Sequence, residues 1–236
     1  MNHPDTLGVL ACSPIFHGLD AAKRQTIAGA LSLVRWPRGA FVPAPGDGTD
    51  QFYALIEGRV KSTRQNRSGR EVTLFLLGPG DGFSLVSLLD ALPDTLAVQT
   101  IDAVTAAAAP VAMWHAWMDA YPEFRRAVYR YTHHRLRALG ELASDLALHD
   151  TMTRLAHLLL RYCSDCLNGP ECPLIGDLPH EELAHMIGTV RVVLNRLLSR
   201  LKRKGIVDTQ GGRLRILDLE RLLQIAERPP VIAPPD

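Results

Sequence analysis

The chain changes texture near residue 36 and again near residue 112, and those changes limit what it can fold into. From about 36 to 112, short apolar runs are separated by Pro37-Arg38-Gly39, Pro45-Gly46-Asp47-Gly48, Glu57-Gly58, Ser68-Gly69 and Gly78-Pro79-Gly80-Asp81-Gly82. Between these punctuation marks lie Gln51–Ile56, Arg59–Thr63, Glu71–Leu77 and Leu96–Val104. Strand-length segments at roughly 8- to 12-residue spacing predict an antiparallel barrel or sandwich. Asn66-Arg67-Ser68-Gly69-Arg70 reads as a hairpin tip, with Gly69 free to take positive φ. Before the strands, residues 19–34 read as a short helix, with Leu19, Ile27, Ala30, Leu31 and Val34 on a roughly 3.6-residue period. From Trp114 onward the period is helical, so strands precede helices, as in an α+β chain.

Tyr121-Pro122-Glu123 has the form of a helix start. Beyond Pro122, the stretch to about His149 contains no Gly or Pro except Gly140. Tyr129, Leu136 and Ala143 alternate with Thr132, Leu139 and Leu146 at spacings of three and four. That narrow a/d seam suits a partner helix and predicts coiled-coil dimerisation; the competing reading is a long helix packed on its own barrel. Residues 151–162 form a second amphipathic helix, followed by a Cys/Asn/Gly/Pro loop from Cys163 to Pro173. The stretch from Arg228 to Asp236 carries four prolines and is expected to be disordered.

At 236 residues the chain suits one large domain or two small ones, and 47% hydrophobic content excludes general disorder. No run reaches the roughly 18 to 20 apolar residues of a membrane span. Met1-Asn2-His3-Pro4-Asp5 lacks the layout of a secretory signal. Four cysteines are too few for a disulfide scaffold, so a cytoplasmic location is expected. The net charge of +1 hides an asymmetry: residues 1–190 sum to −4 and residues 191–236 to +5. Arg191, Arg196, Arg200, Lys202, Arg203, Lys204, Arg213 and Arg215 face one acid, Asp208, within 191–215. A basic end on an acidic body points to a polyanion partner for that end, or to a solvated helix face.

Residues 180–187 read as a short helix, Gly188 as a tight turn, and about Val190–Lys204 as a longer helix. Leu183, Ala184 and Ile187 face inward from the first, and Val193, Leu194, Leu197 and Leu201 from the second. Two helices joined by a short Gly-containing turn form a helix-turn-helix, whose second helix enters the major groove by its N-terminal half. Arg191 and Arg196 sit in that half, within reach of guanine O6/N7 or phosphate. Gly205 ends the helix, and residues 206–217 read as strand, Gly-Gly turn, strand: a wing that places Arg213 and Arg215 at the phosphate backbone. The competing reading is a helical hairpin that packs on the barrel, in a ligand-binding or metal- or redox-sensing module whose C-terminal helices serve assembly. An enzyme is not expected, because the chain has no Gly-rich phosphate loop before a helix, no nucleophile elbow and no His-Glu-x-x-His.

Over about residues 15–225 the chain resembles the catabolite activator protein/FNR superfamily (CRP/FNR) of bacterial transcription regulators. The residues that carry the resemblance are Leu183 to Leu198, Phe52-Tyr53-Ala54-Leu55-Ile56-Glu57-Gly58-Arg59-Val60-Lys61, and Leu77-Gly78-Pro79-Gly80-Asp81-Gly82-Phe83. It implies an N-terminal cyclic-nucleotide-binding-type β jelly roll over 1–120, a dimerisation helix over 121–149, a winged helix-turn-helix over 150–225 and a Pro-rich tail over 226–236. It further implies double-stranded DNA, a second copy of the chain and RNA polymerase as partners, with no membrane. The DNA-binding residues it implies are Thr189, Val190, Arg191, Asn195, Arg196, Arg200, Lys202 and Arg213.

The sequence departs from the family pattern in two places. Where the family often has Arg-Glu at the start of the recognition helix, this chain has Arg191-Val192, which removes an acceptor for cytosine N4. Val190 replaces a frequent Ser, and Thr189 is expected to cap the helix instead. In the effector pocket, the family's Gly-Glu-Leu and Arg-Ser stretches align with Ser84-Leu85-Val86 and with Thr95-Leu96. Leu85 cannot accept from a ribose hydroxyl and Thr95-Leu96 brings no cation to a phosphate, so cyclic AMP is not expected to bind by the usual contacts.

Cys163, Cys166 and Cys172, spaced Cys-x2-Cys-x5-Cys, suit iron–sulfur or zinc ligation, with Cys12, His157, His180 or His185 as a fourth ligand. Unliganded thiols and a thiol redox switch remain open beside that reading. Oxygen-sensing relatives carry a similar spacing near the N-terminus, where this chain has only Cys12. Haem is less expected, since no spacing selects His17 or His115.

Overall fold

The computed structural model describes residue 8 and residues 10–42, 51–90, 96–163, 174–209 and 213–227. Thr95, Cys166, Cys172, the Pro45–Gly48 loop, the Gly-Gly turn of the wing and the tail from Arg228 lie outside the described residues, as do the side chains of Val86 and Cys163. The chain divides into two compact units, Met1–Arg64 with Phe75–Ala138 and Gln65–Leu74 with Leu139–Asp236.

After a 3-10 turn at Pro14–Phe16, helix α1 spans Ala21–Ala30, and strands follow as β1 (Ser32–Trp36), β2 (Phe41–Val42), β3 (Gln51–Glu57), β4 (Val60–Gln65), β5 (Glu71–Leu77) and β6 (Gly82–Phe83). Helix α2 (Leu85–Asp90) precedes β7 (Ala97–Thr100) and β8 (Val104–Pro110). The strands form two four-stranded sheets, ordered β1-β8-β3-β6 and β2-β7-β4-β5. That interleaving is the jelly-roll arrangement of two Greek keys.

Two sequence expectations change. The helix expected over 19–34 is only α1, capped by the Asp20 side chain on the Lys23 amide, because Ser32–Trp36 pairs antiparallel with β8 instead. The strand expected over 96–104 is two strands, parted at Ile101–Ala103. The Asn66–Arg70 tip forms as expected, with Asn66 and Gly69 amides donating to the Arg70 and Asn66 carbonyls and Gly69 at φ 81°.

Strand alternation explains two cores. On β3, Tyr53 and Leu55 point inside the roll beside Val60, Phe83 and Val104, while Phe52 and Ala54 point out towards helices. Strand β8 lies between β1 and β3 and is lined by the buried Ala106–Ala109. Its small side chains leave room for rings on either side: Tyr53 stacks on Phe83 at 4.8 Å within the roll, and Phe52 meets Trp114 edge-on at 4.6 Å outside it. Trp114 belongs to helix α3 (Val111–Ala120) and donates its indole N–H to the Ala109 carbonyl at 3.2 Å.

Helix α4 spans Pro122–Leu148. Phe124, Ala127, Val128 and Tyr131 bury one of its faces. Of the expected seam, on another face, Tyr129, Leu136 and Leu146 are 55%, 66% and 37% exposed, while Thr132 and Leu139 are half-buried. The buried Tyr131 hydroxyl accepts from the Gly82 amide (2.9 Å) and donates to the Gly82 carbonyl (3.1 Å), and Arg135 bridges it to Asp81. Burial, followed by the Asp81 charge, pushes the Tyr131 phenol well above its ordinary value.

The second unit contains α5 (Thr151–Cys163), α6 (His180–Met186), α7 (Arg191–Arg203), the antiparallel pair β9 (Val207–Asp208) and β10 (Arg215–Ile216), and α8 (Leu219–Ala226). Asp150 caps α5 by accepting from the Thr153 amide at 2.8 Å, and Asp218 caps α8 through the Arg221 amide at 2.9 Å. Leu155, Leu159, Leu222 and Ile225 are buried where α5 and α8 pack together. No helix among the described residues is long and apolar enough to cross a membrane.

Candidate nucleic-acid interface

Helices α6 and α7 are positioned by apolar residues at helical spacing. Leu183, Ala184, Met186 and Ile187 are buried on the first side of the turn, and Leu194, Leu198 and Leu201 on the second. Leu198 takes the central place expected of Leu197, which with Val193 is half-buried at the margin of the stripe. Gly188 is required at the turn for two reasons. Its φ is 62°, and a Cβ there would stand 2.6 Å from Leu146 Cδ2. Its carbonyl accepts from Arg70 Nη2 at 3.0 Å. Beneath the turn lies Arg154 of α5, whose guanidinium is held below its ordinary value by burial and then by the charge of Arg70.

Helix α7 starts without a side-chain cap. Its N-cap is Val190 in extended conformation, and the Thr189 amide donates to the Ala184 carbonyl at 2.9 Å, closing the turn. The expectation that Thr189 caps α7 is therefore corrected. The helix ends in a Schellman motif: the Ile206 amide reaches the Leu201 carbonyl (3.0 Å), the Gly205 amide reaches that of Lys202 (2.9 Å), and Gly205 has φ 66°.

The face opposite the leucine stripe is open. Arg191, Val192, Arg196, Ser199, Arg200 and Arg203 are all exposed on α7, and Val190 and Val192 are 63% and 60% exposed. Arg213 and Arg215 are exposed beside them in sequence on the wing. Two expected DNA contacts have partners within the protein. Asn195 Oδ1 lies 2.6 Å from His180 Nδ1, and Lys202 Nζ lies 3.6 Å from Asp208 and 3.3 Å from the Thr209 hydroxyl. Both tie α7 to its neighbours, one to α6 and one to the root of the wing. Ser199 and Arg203, outside the DNA-contact set that the family resemblance implies, also lie on this exposed face, where the leucine period places them. On α6, His185 Nδ1 lies 3.3 Å from Glu71 and 4.0 Å from Glu182.

In the jelly roll, the aligned effector stretch begins at Ser84, buried and in the left-handed region at φ 69°. Leu85 and Leu96 are half-buried. Of the other candidate ligands, Cys12 is an exposed free thiol and His115 Nε2 is bonded to the Leu88 carbonyl. His157 is engaged by Asp145 and by the Ala226 carbonyl.

Residues 153–225 match the Crp-like helix-turn-helix domain, and residues 33–121 match the cyclic nucleotide-binding domain. The CRP-like cAMP-activated global transcriptional regulator of Mycobacterium tuberculosis is 31% identical over 220 residues, covering 92% of this chain and 98% of that protein. The cyclic AMP receptor protein of Thermus thermophilus is 27% identical over 214 residues, covering 91% of this chain and 97% of its own. The solved structure of FixK2 from Bradyrhizobium japonicum superposes with a TM-score of 0.74 at 18% identity, covering 84% of this chain and 98% of its own, a likeness of fold.

Proposed function

Because the chain belongs to the CRP/FNR family of DNA-binding transcription regulators, we propose that it works as a homodimer joined along α4, reads DNA with α7, and answers to an effector other than cyclic AMP. The observation that carries this is the division of α7 into a buried leucine stripe and an exposed basic face. That division is what a helix seated on its own domain and offered to a polyanion requires. Arg191 and Arg196 approach guanine edges from the N-terminal half, and Arg200, Arg203 and Arg213 meet phosphates. Val192, open on the same face, offers an apolar contact for a thymine methyl where a glutamate would select cytosine. Thr189 and Val190 bring the backbone of the turn to the strand, while Asn195 and Lys202 hold the reading helix in place.

Selection of preferred half-sites from random DNA, followed by mobility shift, tests this. Arg191→Ala should reduce discrimination at one position by about 1–3 kcal/mol, and Val192→Glu should move the adjoining preference towards cytosine. Arg203→Ala should weaken binding to every sequence and lower the salt slope by about one. Unchanged selectivity in Arg191→Ala and an unchanged salt slope in Arg203→Ala would remove α7 as the reading element.

The two relatives named for cyclic AMP bring that nucleotide to mind for the jelly roll, and the residues here speak against it. Leu85 offers no acceptor to a ribose, and the Thr95-Leu96 pair offers no cation. Titration calorimetry should show no saturable cyclic AMP binding below the micromolar range. Sub-micromolar binding would overturn the assignment.

A further inference from the structure

We propose that Asp145, His149 and His157 form a binding site for a divalent transition metal of the zinc class, at the connection between α4 and α5. Asp145 lies in the last turn of α4 and His149 just beyond its end, its amide donating to the Asp145 carbonyl at 3.2 Å, and His157 lies on α5. One ligand atom from each of the three lies within 4.8 Å of the other two. The His149 and His157 rings meet edge to face with centroids 5.0 Å apart.

The chemistry of His157 supplies the argument. Its Nε2 lies 3.0 Å from the Ala226 carbonyl, an oxygen that only accepts, so Nε2 carries a hydrogen. In the neutral ring the Nδ1 lone pair then faces Asp145 Oδ1 at 2.6 Å. Two acceptors at that distance need a cation between them. A proton satisfies these two groups and leaves His149 unused, whereas a metal ion engages all three. A ring nitrogen bonded to a backbone carbonyl is also the usual support of a metal-ligating histidine, fixing tautomer and orientation.

The surroundings suit the same ion. Arg161 Nη2 lies 3.4 Å from Asp145 Oδ2, leaving Oδ1 to the metal. An open groove lined by Gly140, Glu141 and Ser144 reaches Asp145 and His157 and admits the water that completes the coordination. Tetrahedral zinc with ligands at about 2.0–2.1 Å holds them roughly 3.3 Å apart, a spacing between the 2.6 Å that parts His157 Nδ1 from Asp145 Oδ1 and the 4.8 Å within which all three ligand atoms lie. Two imidazoles and a carboxylate suit zinc, cobalt or nickel. Such an ion fixes the angle at which α5 leaves the last turn of α4, and His157 carries that constraint to the end of α8.

The test is uptake of Co2+ or Zn2+ by the full-length chain in a background of Cys163→Ser, Cys166→Ser and Cys172→Ser, followed by visible absorbance and calorimetry. This readout does not involve DNA, so its failure is separable from that of the DNA-reading assignment. One ion per chain is expected, with an absorbance free of thiolate charge transfer. His149→Ala, a truncation in the connection, should weaken affinity by more than the roughly 10–100-fold that loss of an outer partner causes. Asp145→Asn should act in the same direction with the shape of the site kept. Absence of stoichiometric uptake in the serine background would overturn the site, as would affinity that His149→Ala and Asp145→Asn leave unchanged.

Discussion

Leu136→Glu should give a folded monomer whose affinity for a two-half-site operator falls by about 10²–10⁴-fold. In the single chain Leu136 is 66% exposed, so a glutamate there removes nothing from the protein's own core. In a pair of chains joined along α4, Leu136 occupies a core position of the seam with Tyr129, Thr132, Leu139, Ala143 and Leu146. A carboxylate there is buried against its symmetry mate, and the two charges repel in a poorly solvated interface. The size of the DNA effect follows from losing the second, tethered reading helix, which acts through effective concentration. Sedimentation equilibrium and mobility shift check both halves of the expectation. A dimer of unchanged stability would show that two copies do not join along this seam.

Trp114→Ala should lower the stability of the first unit by about 3–5 kcal/mol, with a fall in Tm on the order of 10 °C. Trp114 is fully buried and touches Phe16, Phe52, Trp117 and Phe124, with ring centroids between 4.6 and 5.8 Å. It joins the 3-10 turn, strand β3 and the start of α4 in one cluster. Its removal also orphans the Ala109 carbonyl on that side. Differential scanning calorimetry reads the effect, and a shift below about 2 °C would mean that the cluster is not the stabilising centre of the unit.

The parts of this fold that sequence made legible are those fixed by local pattern. The reading helix declares itself through Leu194, Leu198 and Leu201 on one side, through Gly188 and Gly205 at its ends, and through the arginines between. The seam of α4 is legible because almost no Gly or Pro interrupts it; in the fold Tyr129, Leu136 and Leu146 of that seam are exposed and Thr132 and Leu139 half-buried. Legibility fails where tertiary pairing overrides the local period. Leu31 and Val34 continue the period of α1, yet the ladder to β8 takes residues 32–36 into a strand. The break between β7 and β8 has neither Gly nor Pro to announce it, and α8 is too short at eight residues to show a period of its own. Pairings across elements are the least legible: nothing local to Asn195 points to His180, or to Lys202 points to Asp208. For the same reason His157 reads in sequence as a candidate partner for the cysteine loop, while in the fold its neighbours are Asp145 and His149.

The Tyr131 hydroxyl grips both backbone groups of Gly82, two residues before the stretch aligned with the effector pocket. On the same helix, Tyr129 and Thr132 adjoin it on the seam face. In a dimer joined along that seam, the proposed effector pockets would be separated by two hydrogen-bonded rings, one per subunit, and one pair of helices. In such a dimer, a ligand that shifted Gly82 in one subunit would change the fit of α4 against its mate through Tyr131. Linkage then makes the second pocket sense the first, so occupancy should depart from simple hyperbolic saturation even without DNA.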